Sequence, residues 1–304
     1  MDNTSHLDVN RRHDFVLLFD VVDGNPNGDP DAGNLPRVDP ETMQGLVTDV
    51  AIKRRVRDWV DAAHGDQDRY KIYVQGGDAL NAKHRRAYTA LNLKSTGAKQ
   101  ARGDIERTRE WMCENFYDIR LFGAVMTTGV NCGQVRGPMQ LTFARSIDPI
   151  VPLELSITRV AVTREEAARV VVGEDGATGA GGKQTEMGRK AIVPYGLYRA
   201  HGFFNAHFGR QTGVTPEDLG LFWDALQQMW DFDRSSSRGL MSCQELYVFT
   251  HSSSLGDAPA HRLFERLQVS RRDGVDAPRS MRDYIVTVDD ADMPRGVALT
   301  SLVS

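Results

Sequence analysis

A loop rich in Asp, Asn, Gly and Pro, residues 23–34, contains the first spacing that suggests chemistry. Asp23, Asn25, Asn27 and Gly28 stand at the first, third, fifth and sixth places of an EF-hand calcium loop. The twelfth place holds an Asn where calcium binding needs a bidentate Glu, and an apolar run precedes the loop where a helix is required. The spacing therefore does not predict a calcium site. The composition indicates either an ordinary surface connection or a loop whose backbone N–H groups are free to face a ligand.

A second glycine-rich stretch, residues 173–190, shares some features of a phosphate-binding loop. Ala177 stands where the first Gly of G-x-x-x-x-G-K belongs, and Gln184 stands where Ser or Thr must bind magnesium. Nucleotide hydrolysis is therefore not predicted. A hairpin tip between strands is the better interpretation, because glycine-rich segments of this kind are commonly flexible.

Histidine and cysteine give no signature of a metal site or a nucleophile. His201 and His207 are six residues apart, which is not the i,i+4 spacing of a helical zinc pair. Cys113, Cys132 and Cys243 are odd in number and far apart, so they favour a reducing cytoplasm over disulfides or structural zinc. The sequence also has no G-x-S-x-G string. We therefore expect no catalytic residue, no metal site and no cofactor.

Basic residues form two groups that could meet a polyanion. Lys53, Arg54 and Arg55 are consecutive, and on a helix they point about 100° apart, so they cannot share one face. A solvated charge run is the alternative to ligand binding. A second group lies in a segment with little apolar content: Lys83, Arg85, Arg86, Lys94, Lys99, Arg102 and Arg107. Such a segment is typical of a solvated insertion that projects from a core or orders on a partner.

Apolar periodicity places these residues on alternating strands and helices. We predict a helix over residues 40–64, with Pro40 and Glu41 in its first turn, and a helix that begins at Thr215. Shorter helical patterns occupy residues 104–117 and, after a capping box, residues 167–172. Strands are predicted at residues 14–22, 71–74, 119–125, 139–144, 153–162, 191–204 and 246–251, with an edge strand in the tail after residue 271. The order strand, helix, insertion, strand, strand, helix, strand is that of a βαββαβ fold.

Three motifs near the amino terminus together resemble a known family: NPNGDPD at residues 25–31, PRVDPET at 36–42 and GLVTDVAIKRRVRDW at 45–59. They are similar to the start of the type I-C Cas-seven family of the RAMP superfamily, the repeated backbone subunits of Cascade, a CRISPR surveillance complex. Later similarities follow in the expected order: DIRLFGAV at 118–125, RGPMQL at 136–141 and GRKAIVPYGLYRAHGFF at 188–204. The resemblance covers most of the chain and weakens after about residue 267.

The resemblance implies an α+β fold, a modified RNA-recognition-motif core of the ferredoxin-like βαββαβ type. The whole chain, residues 1–304, would be one such domain with a finger insertion at 65–117 and a thumb insertion at 163–190. The implied function is that of a non-catalytic subunit that binds the crRNA guide, oligomerises along it as a helical filament and presents it for pairing with target DNA in antiviral defence. The implied partners are further copies, the Cas-five and Cas-eight families and a small subunit.

The resemblance also implies which residues contact the RNA. They come from the first loop and helix, from the RGPMQL segment and from the thumb: Asn25, Asn27, Arg37, Gln44, Thr48, Lys53, Arg54, Arg55, Arg136, Gln140, Lys183, Met187, Arg189 and Lys190. Arginine would offer phosphate a planar fork of donors. Tyr195, Tyr198, Phe203 and Phe204 could stack bases, but we expect them in the core because the sequence has no RNP string.

A metal-dependent ribonuclease that uses Asp23, Asp29 or Asp31 is the alternative function, since related filament subunits in other CRISPR types cleave RNA with a loop aspartate. Loop carboxylates are more often simply solvated, so binding without catalysis is the favoured interpretation. The chain of 304 residues is 40% hydrophobic and has a formal net charge of −4, unlike a free-standing nucleic-acid-binding domain. RNA binding must then use local basic patches. The polar start and the absence of a long apolar window predict neither a signal peptide nor a membrane span, and so a cytoplasmic protein.

Overall fold

The computed structural model describes residues 4–160 and 186–303 and has a mixed α and β architecture with antiparallel sheets. The helices are α1 (Asp49–His64), α2 (Leu80–Ala90), α3 (Arg102–Asn115), α4 (Tyr117–Phe122), α5 (Ala206–Thr212), α6 (Pro216–Phe232) and α7 (Ala260–Glu265). The strands are β1 (His13–Gly24), β2 (Gly28–Asp29), β3 (Leu35–Pro36), β4 (Gln44–Val47), β5 (Gly123–Met126), β6 (Gly133–Arg136), β7 (Met139–Leu141), β8 (Ala144–Pro149), β9 (Leu153–Arg159), β10 (Glu186–Phe204), β11 (Leu240–His251), β12 (Leu267–Arg271), β13 (Tyr284–Val288) and β14 (Val297–Ser301). Within the described ranges, none of the helices has the length and apolar character needed to cross a membrane.

The main sheet is built around β1, which confirms the strand predicted at residues 14–22. Strands β10 and β11 pair with β1 on its two sides, both antiparallel. The order across the sheet is β14, β11, β1, β10, β8, β4, and β7 and β9 also pair with β10. β1 is therefore an interior strand, which explains why its sequence is apolar on both faces.

The two faces of the sheet are covered by different parts of the chain. Phe15, Leu17, Phe19 and Val21 point to one face and form a core with α1 and α6. Val16 and its alternate neighbours point to the other face, where α7 and the hairpin of β12 and β13 cover them. The edge strand predicted in the tail is confirmed. The strand that extends the sheet edge is β14, paired with β11, whereas β13 pairs with β12 outside the sheet.

The aromatic side chains of β10 lie in these cores. Tyr198 is buried and its ring stacks on Phe19 with centroids 5.4 Å apart. Tyr195 and Phe204 are also buried, and Phe203 packs partly buried against the layer that contains α7. The expectation that these residues belong to the core, and not to a base-stacking platform, is confirmed.

A second, smaller hydrophobic cluster joins α2, α3, α4 and the hairpin of β5 and β6. Part of the segment from residue 76 to 109 therefore belongs to a hydrophobic core. Lys83 is buried, and its Nζ donates hydrogen bonds to the carbonyls of Ile72 and Tyr73 at 2.9 and 3.0 Å. The interpretation of Lys83 as a solvated cation is therefore wrong, because it ties α2 to the preceding chain.

The predicted helix over residues 40–64 begins nine residues late. Residues 44–47 instead form β4, which pairs with β8 at the sheet edge, and α1 starts at Asp49. Thr48 is the N-cap, since its hydroxyl accepts a hydrogen bond from the amide of Ala51 at 3.2 Å. Tertiary pairing overrides the local helix signal here. The helix predicted at Thr215 is confirmed as α6, with a capping box between Thr215 and Asp218.

One predicted strand, at residues 71–74, is wrong, and another, at residues 119–125, is only partly confirmed. Residues 71–74 form only an isolated bridge, between Lys71 and Phe116. Residues 117–122 form α4, and the strand begins only at Gly123. Within α4, Arg120 forms a buried ion pair with Asp218, in which both side chains are 1% exposed and the two groups lie 2.7 Å apart. The predicted helix at residues 167–172 and most of the thumb lie outside the described residues.

Buried histidines make stability depend on pH. Burial lowers the pKa of His13 to about 4, and burial together with Arg199 lowers the pKa of His201 to about 4. The two histidines take up protons near pH 6.5 in the unfolded chain but not in the folded chain. The free energy of unfolding is therefore highest above pH 6.5 and falls as the pH drops toward 4. Each histidine contributes a slope of about 1.4 kcal/mol per pH unit in that window. We expect the free energy of unfolding in urea to fall steeply between pH 6.5 and 5.

The matched variants are His201→Gln and His207→Gln. Gln at position 201 keeps an acceptor for Arg199 Nε, which donates to His201 Nε2 at 3.0 Å, but does not titrate. The slope should therefore become shallower in the first variant. His207 is exposed, and its variant should keep the slope of the unmodified chain. Equal slopes in all three proteins would contradict the assignment.

Candidate nucleic-acid interface

The loop after β1 is fixed to the start of α1. Asn27 Oδ1 accepts hydrogen bonds from the amide of Thr48 at 2.9 Å and from its hydroxyl at 3.0 Å. Asn27 and Thr48 are both predicted to contact RNA. The structure brings them together as hydrogen-bond partners of each other. The carboxamide of Asn27 acts as a clamp that sets where the loop crosses the helix terminus.

The same loop is fixed on its other side to the segment before β11. The amide of Asn25 donates to the carbonyl of Ser237 at 2.8 Å. Gly24 lies against the main chain of Arg238 and Gly239, and a side chain on Gly24 would collide with the Arg238 carbonyl. Residues that are over 200 positions apart in the sequence therefore form one surface at this end of the sheet.

The three consecutive cations of α1 point in three directions, as the helical spacing predicts. Lys53 Nζ lies 2.9 Å from Asp49 and 5.6 Å from the ring centroid of Phe122. Arg54 points to solvent, with its side chain 74% exposed. Arg55 points into the core. Arg54 is the most exposed of the three, and its Nε lies 3.5 Å from Asp58, so a ligand would share the guanidinium with that carboxylate.

The interpretation of Arg55 as part of a surface cluster is wrong. Its side chain is 7% exposed, its Nε lies 3.3 Å from Asp233, and its guanidinium lies over the ring of Trp230 at 5.1 Å. It also donates to the carbonyls of Pro26 and Ala51 at 2.9 and 3.1 Å. Burial lowers the pKa of Arg55 to about 10, so it stays charged at neutral pH. Arg55 ties the first loop to α1 and to the segment after α6.

These contacts form the walls of an open cavity of about 510 Å³, which we call the loop pocket. Three arginines and one aspartate give it a positive lining, and hydroxyl and carboxamide groups supply the rest. Its walls are Asn25, Pro26, Asn27, Gly28, Asn34, Ala51, Arg54, Arg55, Asp233, Ser235, Ser237 and Arg238. A positive cavity with fixed polar groups suits a phosphate-bearing ligand.

Two other predicted contacts near this loop are engaged with protein groups. Gln44 lies on β4 and donates through Nε2 to the carbonyl of Ser146 at 3.0 Å. Arg37 lies 3.3 Å from Asp29, with its side chain 30% exposed. Each has a structural partner that a ligand would have to share.

Arg136 and Gln140 line a different cavity, of about 610 Å³, between the hairpin of β5 and β6 and the start of α5. The guanidinium of Arg136 lies 4.6 Å from the ring centroid of Phe208, and both Arg136 and Gln140 are exposed. Phe122 also lines this cavity and is the residue that Lys53 approaches. Lys53 therefore lies near the cavity that Arg136 lines, whereas Arg54 lines the loop pocket.

Strands β9 and β10 extend from the sheet as a two-stranded ribbon, residues 153–159 and 186–192. Met187 is 73% exposed, and the side chain of Arg189 is 85% exposed and 3.8 Å from Glu154. Lys190 Nζ lies 3.3 Å from the hydroxyl of Ser236, so the base of the ribbon reaches the rim of the loop pocket. Lys183 lies outside the described residues.

The loop aspartates show no arrangement for metal catalysis. Asp29 pairs with Arg37 and accepts from the amide of Asp31 at 3.1 Å. Asp23 is exposed. Across residues 4–160 and 186–303, no group of three or more His, Cys, Asp or Glu side chains is placed to hold a metal ion. The nuclease alternative gains no support from this geometry.

Sequence analysis missed the second wall of the loop pocket. Asp233, Ser235, Ser237 and Arg238 belong to the segment between α6 and β11, where no ligand contact is predicted from the sequence. Two arginines and three serines in a short loop, RSSSR, were the available signal. Only the pairing of β11 beside β1 shows that this loop meets the first one.

Comparisons with known proteins agree with this architecture. One curated relative, the "CRISPR-associated protein Cas7" of Haloferax volcanii, is 25% identical over 305 residues, which cover 92% of this chain and 81% of the relative. A solved chain described as "CRISPR RNA-guided surveillance complex, pre-nicking" has a TM-score of 0.50 and 14% identity, covering 82% of this chain and 79% of that one. At that identity the solved chain shows a shared fold alone.

The family model for "CRISPR-associated protein Cas7" matches residues 11–289. That range includes every strand of the main sheet except the edge strand β14, both walls of the loop pocket and the ribbon. The chain therefore belongs to the Cas7 family.

Proposed function

We propose that this chain is a non-catalytic backbone subunit of a type I-C surveillance complex, which binds the crRNA guide through its sugar–phosphate backbone. The observation that carries the proposal is the loop pocket, a positive cavity on a chain whose net charge is −4. The negative charge of the rest of the molecule repels a polyanion, so the polyanion binds at the recess where arginine is concentrated. The relative from Haloferax volcanii and the surveillance-complex chain are consistent with this function.

We further propose that the core is a modified RNA recognition motif. Four strands of the sheet lie in the order β11, β1, β10 and β8, all antiparallel, with α1 and α6 on one face. That order fits a ferredoxin-like βαββαβ unit in which β1, β8, β10 and β11 are the four core strands. The other face is covered by α7 and the hairpin of β12 and β13, so the ligand binds at the loops and not on the sheet.

The assembly follows from the same proposal. Copies of the chain line up along one guide, with the finger, the segment around residues 65–117, and the thumb, residues 163–190, reaching toward the RNA and the next copy. The guide stays available for pairing with target DNA, and Cas-five, Cas-eight and small-subunit proteins complete the complex. Arg54, Arg136, Arg189 and Lys190 are the exposed or half-exposed cations that serve the backbone.

The proposal predicts that RNA of defined length accompanies the chain when it is purified from cells. Binding should vary less than about tenfold among unstructured RNAs of one length, because phosphate contacts do not read base identity. The logarithm of the association constant should fall linearly with the logarithm of salt concentration, by about 0.7 per phosphate neutralised on a single strand. Fluorescence anisotropy with several unrelated sequences measures both quantities.

A spread of more than about a hundredfold among such RNAs, roughly 2.7 kcal/mol, would show base readout instead. Cleavage of complementary RNA in single-turnover reactions with magnesium would show that the chain is an enzyme and would overturn the non-catalytic part of the proposal. The control is the same reaction with chelator in place of magnesium.

A further inference from the structure

The cavity beside the hairpin of β5 and β6, which we call the hairpin cavity, differs in chemical character from the loop pocket. Its volume is about 610 Å³, and most of its walls are apolar, with side chains from Phe122, Val125, Val135, Pro138, Phe203 and Phe208. Arg136 is the single basic residue among the described residues that line it. The loop pocket has three arginines and mainly polar walls. A recess with apolar walls and one cation favours a flat, uncharged ring over a phosphate alone.

Arg136 is an accessible cation without a carboxylate partner. The residue is exposed, and its side chain forms no ion pair or hydrogen bond with the part of the chain that the structure describes. Its guanidinium carbon lies 4.6 Å from the ring centroid of Phe208, so the cation rests over that ring. Arg54 and Arg238 of the loop pocket, by contrast, each lie beside an aspartate. A ligand in the hairpin cavity therefore does not have to displace a carboxylate from Arg136.

The two sides of the hairpin cavity are fixed to each other by the backbone. The amide of Asn205 donates to the carbonyl of Pro138 at 2.9 Å, and Asn205 Oδ1 accepts from the amide of Phe208 at 3.2 Å. Gly137 lies so close to the main chain of Phe122 that a side chain on Gly137 would collide with the Phe122 carbonyl. The cation and the ring beneath it are therefore in position before a ligand arrives, which lowers the entropic cost of binding.

The rim of the hairpin cavity carries carboxamide groups. Gln134 and Gln140 are exposed and line the cavity, and Gln140 Nε2 donates to the carbonyl of Gly137 at 3.0 Å. A carboxamide both donates and accepts hydrogen bonds, so such a rim can meet the edge of any base. Proteins that bind single-stranded RNA stack its bases on aromatic rings and on the planes of arginine guanidinium groups. The hairpin cavity therefore has the chemistry of a site for a nucleobase.

We propose that the hairpin cavity holds one nucleobase of the guide, stacked on the guanidinium of Arg136, which Phe208 supports from the other side. This inference rests on the function proposed above and deepens it, since it adds a contact with a base to the contacts with the backbone. The N–H groups at the edge of the guanidinium remain available to the backbone. Stacking tolerates every base, because each has a π face, so binding stays independent of sequence.

The test compares two strands of one length, each short enough to occupy one subunit. One is RNA, and the other is an abasic strand in which hydrogen replaces the base at every position. Both carry the same number of phosphates, so their electrostatic contributions match. Fluorescence anisotropy measures the two dissociation constants at one salt concentration. We expect the unmodified chain to bind RNA at least about fivefold more tightly than the abasic strand, the smallest factor given by one stacked base.

Two variants test the assignment of the stack. Arg136→Lys keeps the charge but loses the plane, and Phe208→Leu keeps an apolar side chain but loses the ring. Each should weaken RNA binding by at least about threefold and change binding of the abasic strand by less than about twofold. Arg210→Lys is the matched control, because Arg210 is exposed on the same helix as Phe208 but does not line the cavity, and this variant should keep the full ratio.

The abasic strand is more flexible than RNA, but that difference is the same for every protein in the comparison. A thermal melt of each variant checks folding. Arg136 is exposed, so Arg136→Lys keeps the test decisive if Phe208→Leu does not fold.

Equal binding of the two strands by the unmodified chain would overturn the inference while the proposed function stands. An Arg136→Lys chain that keeps the full ratio would also overturn it, because a contact with phosphate alone needs only the charge. If the variants leave the ratio unchanged but shorten assemblies on a guide-length RNA, a second copy of the chain, and not a base, occupies the cavity. If the unmodified chain binds neither strand, the proposed function itself is contradicted.

Discussion

Arg55→Ala is expected to reduce the free energy of unfolding by about 3 kcal/mol, because it removes one partner of a buried ion pair. Asp233, whose side chain is 15% exposed, would keep only Arg238, and the carbonyls of Pro26 and Ala51 would lose their donor. The contact of the guanidinium with Trp230 would also be lost. This cost is a large part of the total stability of a typical domain.

Urea denaturation measures the effect, with Arg54→Ala as the matched control. Arg54 is adjacent in sequence and has the same charge, but it is exposed, so its replacement should change stability by no more than about 0.5 kcal/mol. Arg55→Lys should fall between the two, since Lys keeps the charge but not the planar fork that reaches several acceptors. Equal stability of the two alanine variants would show that the buried pair contributes nothing. Arg55 also lines the loop pocket, so RNA binding by Arg55→Ala would not separate the two roles. The double variant Lys53→Ala, Arg54→Ala is the cleaner test of binding.

Shortening the ribbon is expected to abolish long assemblies on RNA while the monomer stays folded. Arg159 and Glu186 are paired across β9 and β10, so replacing residues 160–185 with Asn-Gly closes the hairpin with a two-residue turn. The change leaves β9 and β10 themselves complete. A contact that recurs at every junction acts through effective concentration, so a modest loss per junction multiplies along the polymer.

Size-exclusion chromatography and electron microscopy on a guide-length RNA compare the full and shortened chains. A third chain, in which residues 160–185 are replaced by Gly and Ser at the same length, separates the effect of sequence from that of length. Weak binding of short RNA should survive in all three. Filaments of unchanged length and unchanged RNA protection in the shortened chain would show that the segment is a passive loop.

The central features of the fold could be predicted from the sequence because their signals are local. The apolar run of β1 and the capping box at Thr215 each occupy a few consecutive residues, and both predictions are confirmed. The start of α1 was misplaced because residues 44–47 fit a helix and a strand equally well, and β8, about 100 positions later, decides between them. Local periodicity contains no information about that partner.

The candidate site was predictable in part for the same reason. The first loop is recognisable from its composition, and Asn25 and Arg54 were among the predicted contacts. Arg55 was misassigned because its partner, Asp233, is far away in the sequence, and nothing near Arg55 reveals that the side chain is buried. The contacts of Asn25 with Asn34 and Ser237, which shape the pocket wall, appear only in three dimensions.

The central position of β1 has a consequence for biosynthesis. β1 is synthesised before both of its neighbours, β10, which ends at Phe204, and β11, which ends at His251. At about 5–20 residues per second, the ribosome needs roughly 10–50 s after completing β1 to deliver both. During that time an apolar strand has no partner on either edge and attracts other chains. Chaperones, or slow expression at low temperature, keep nascent chains apart. We therefore expect either to increase the yield of folded protein.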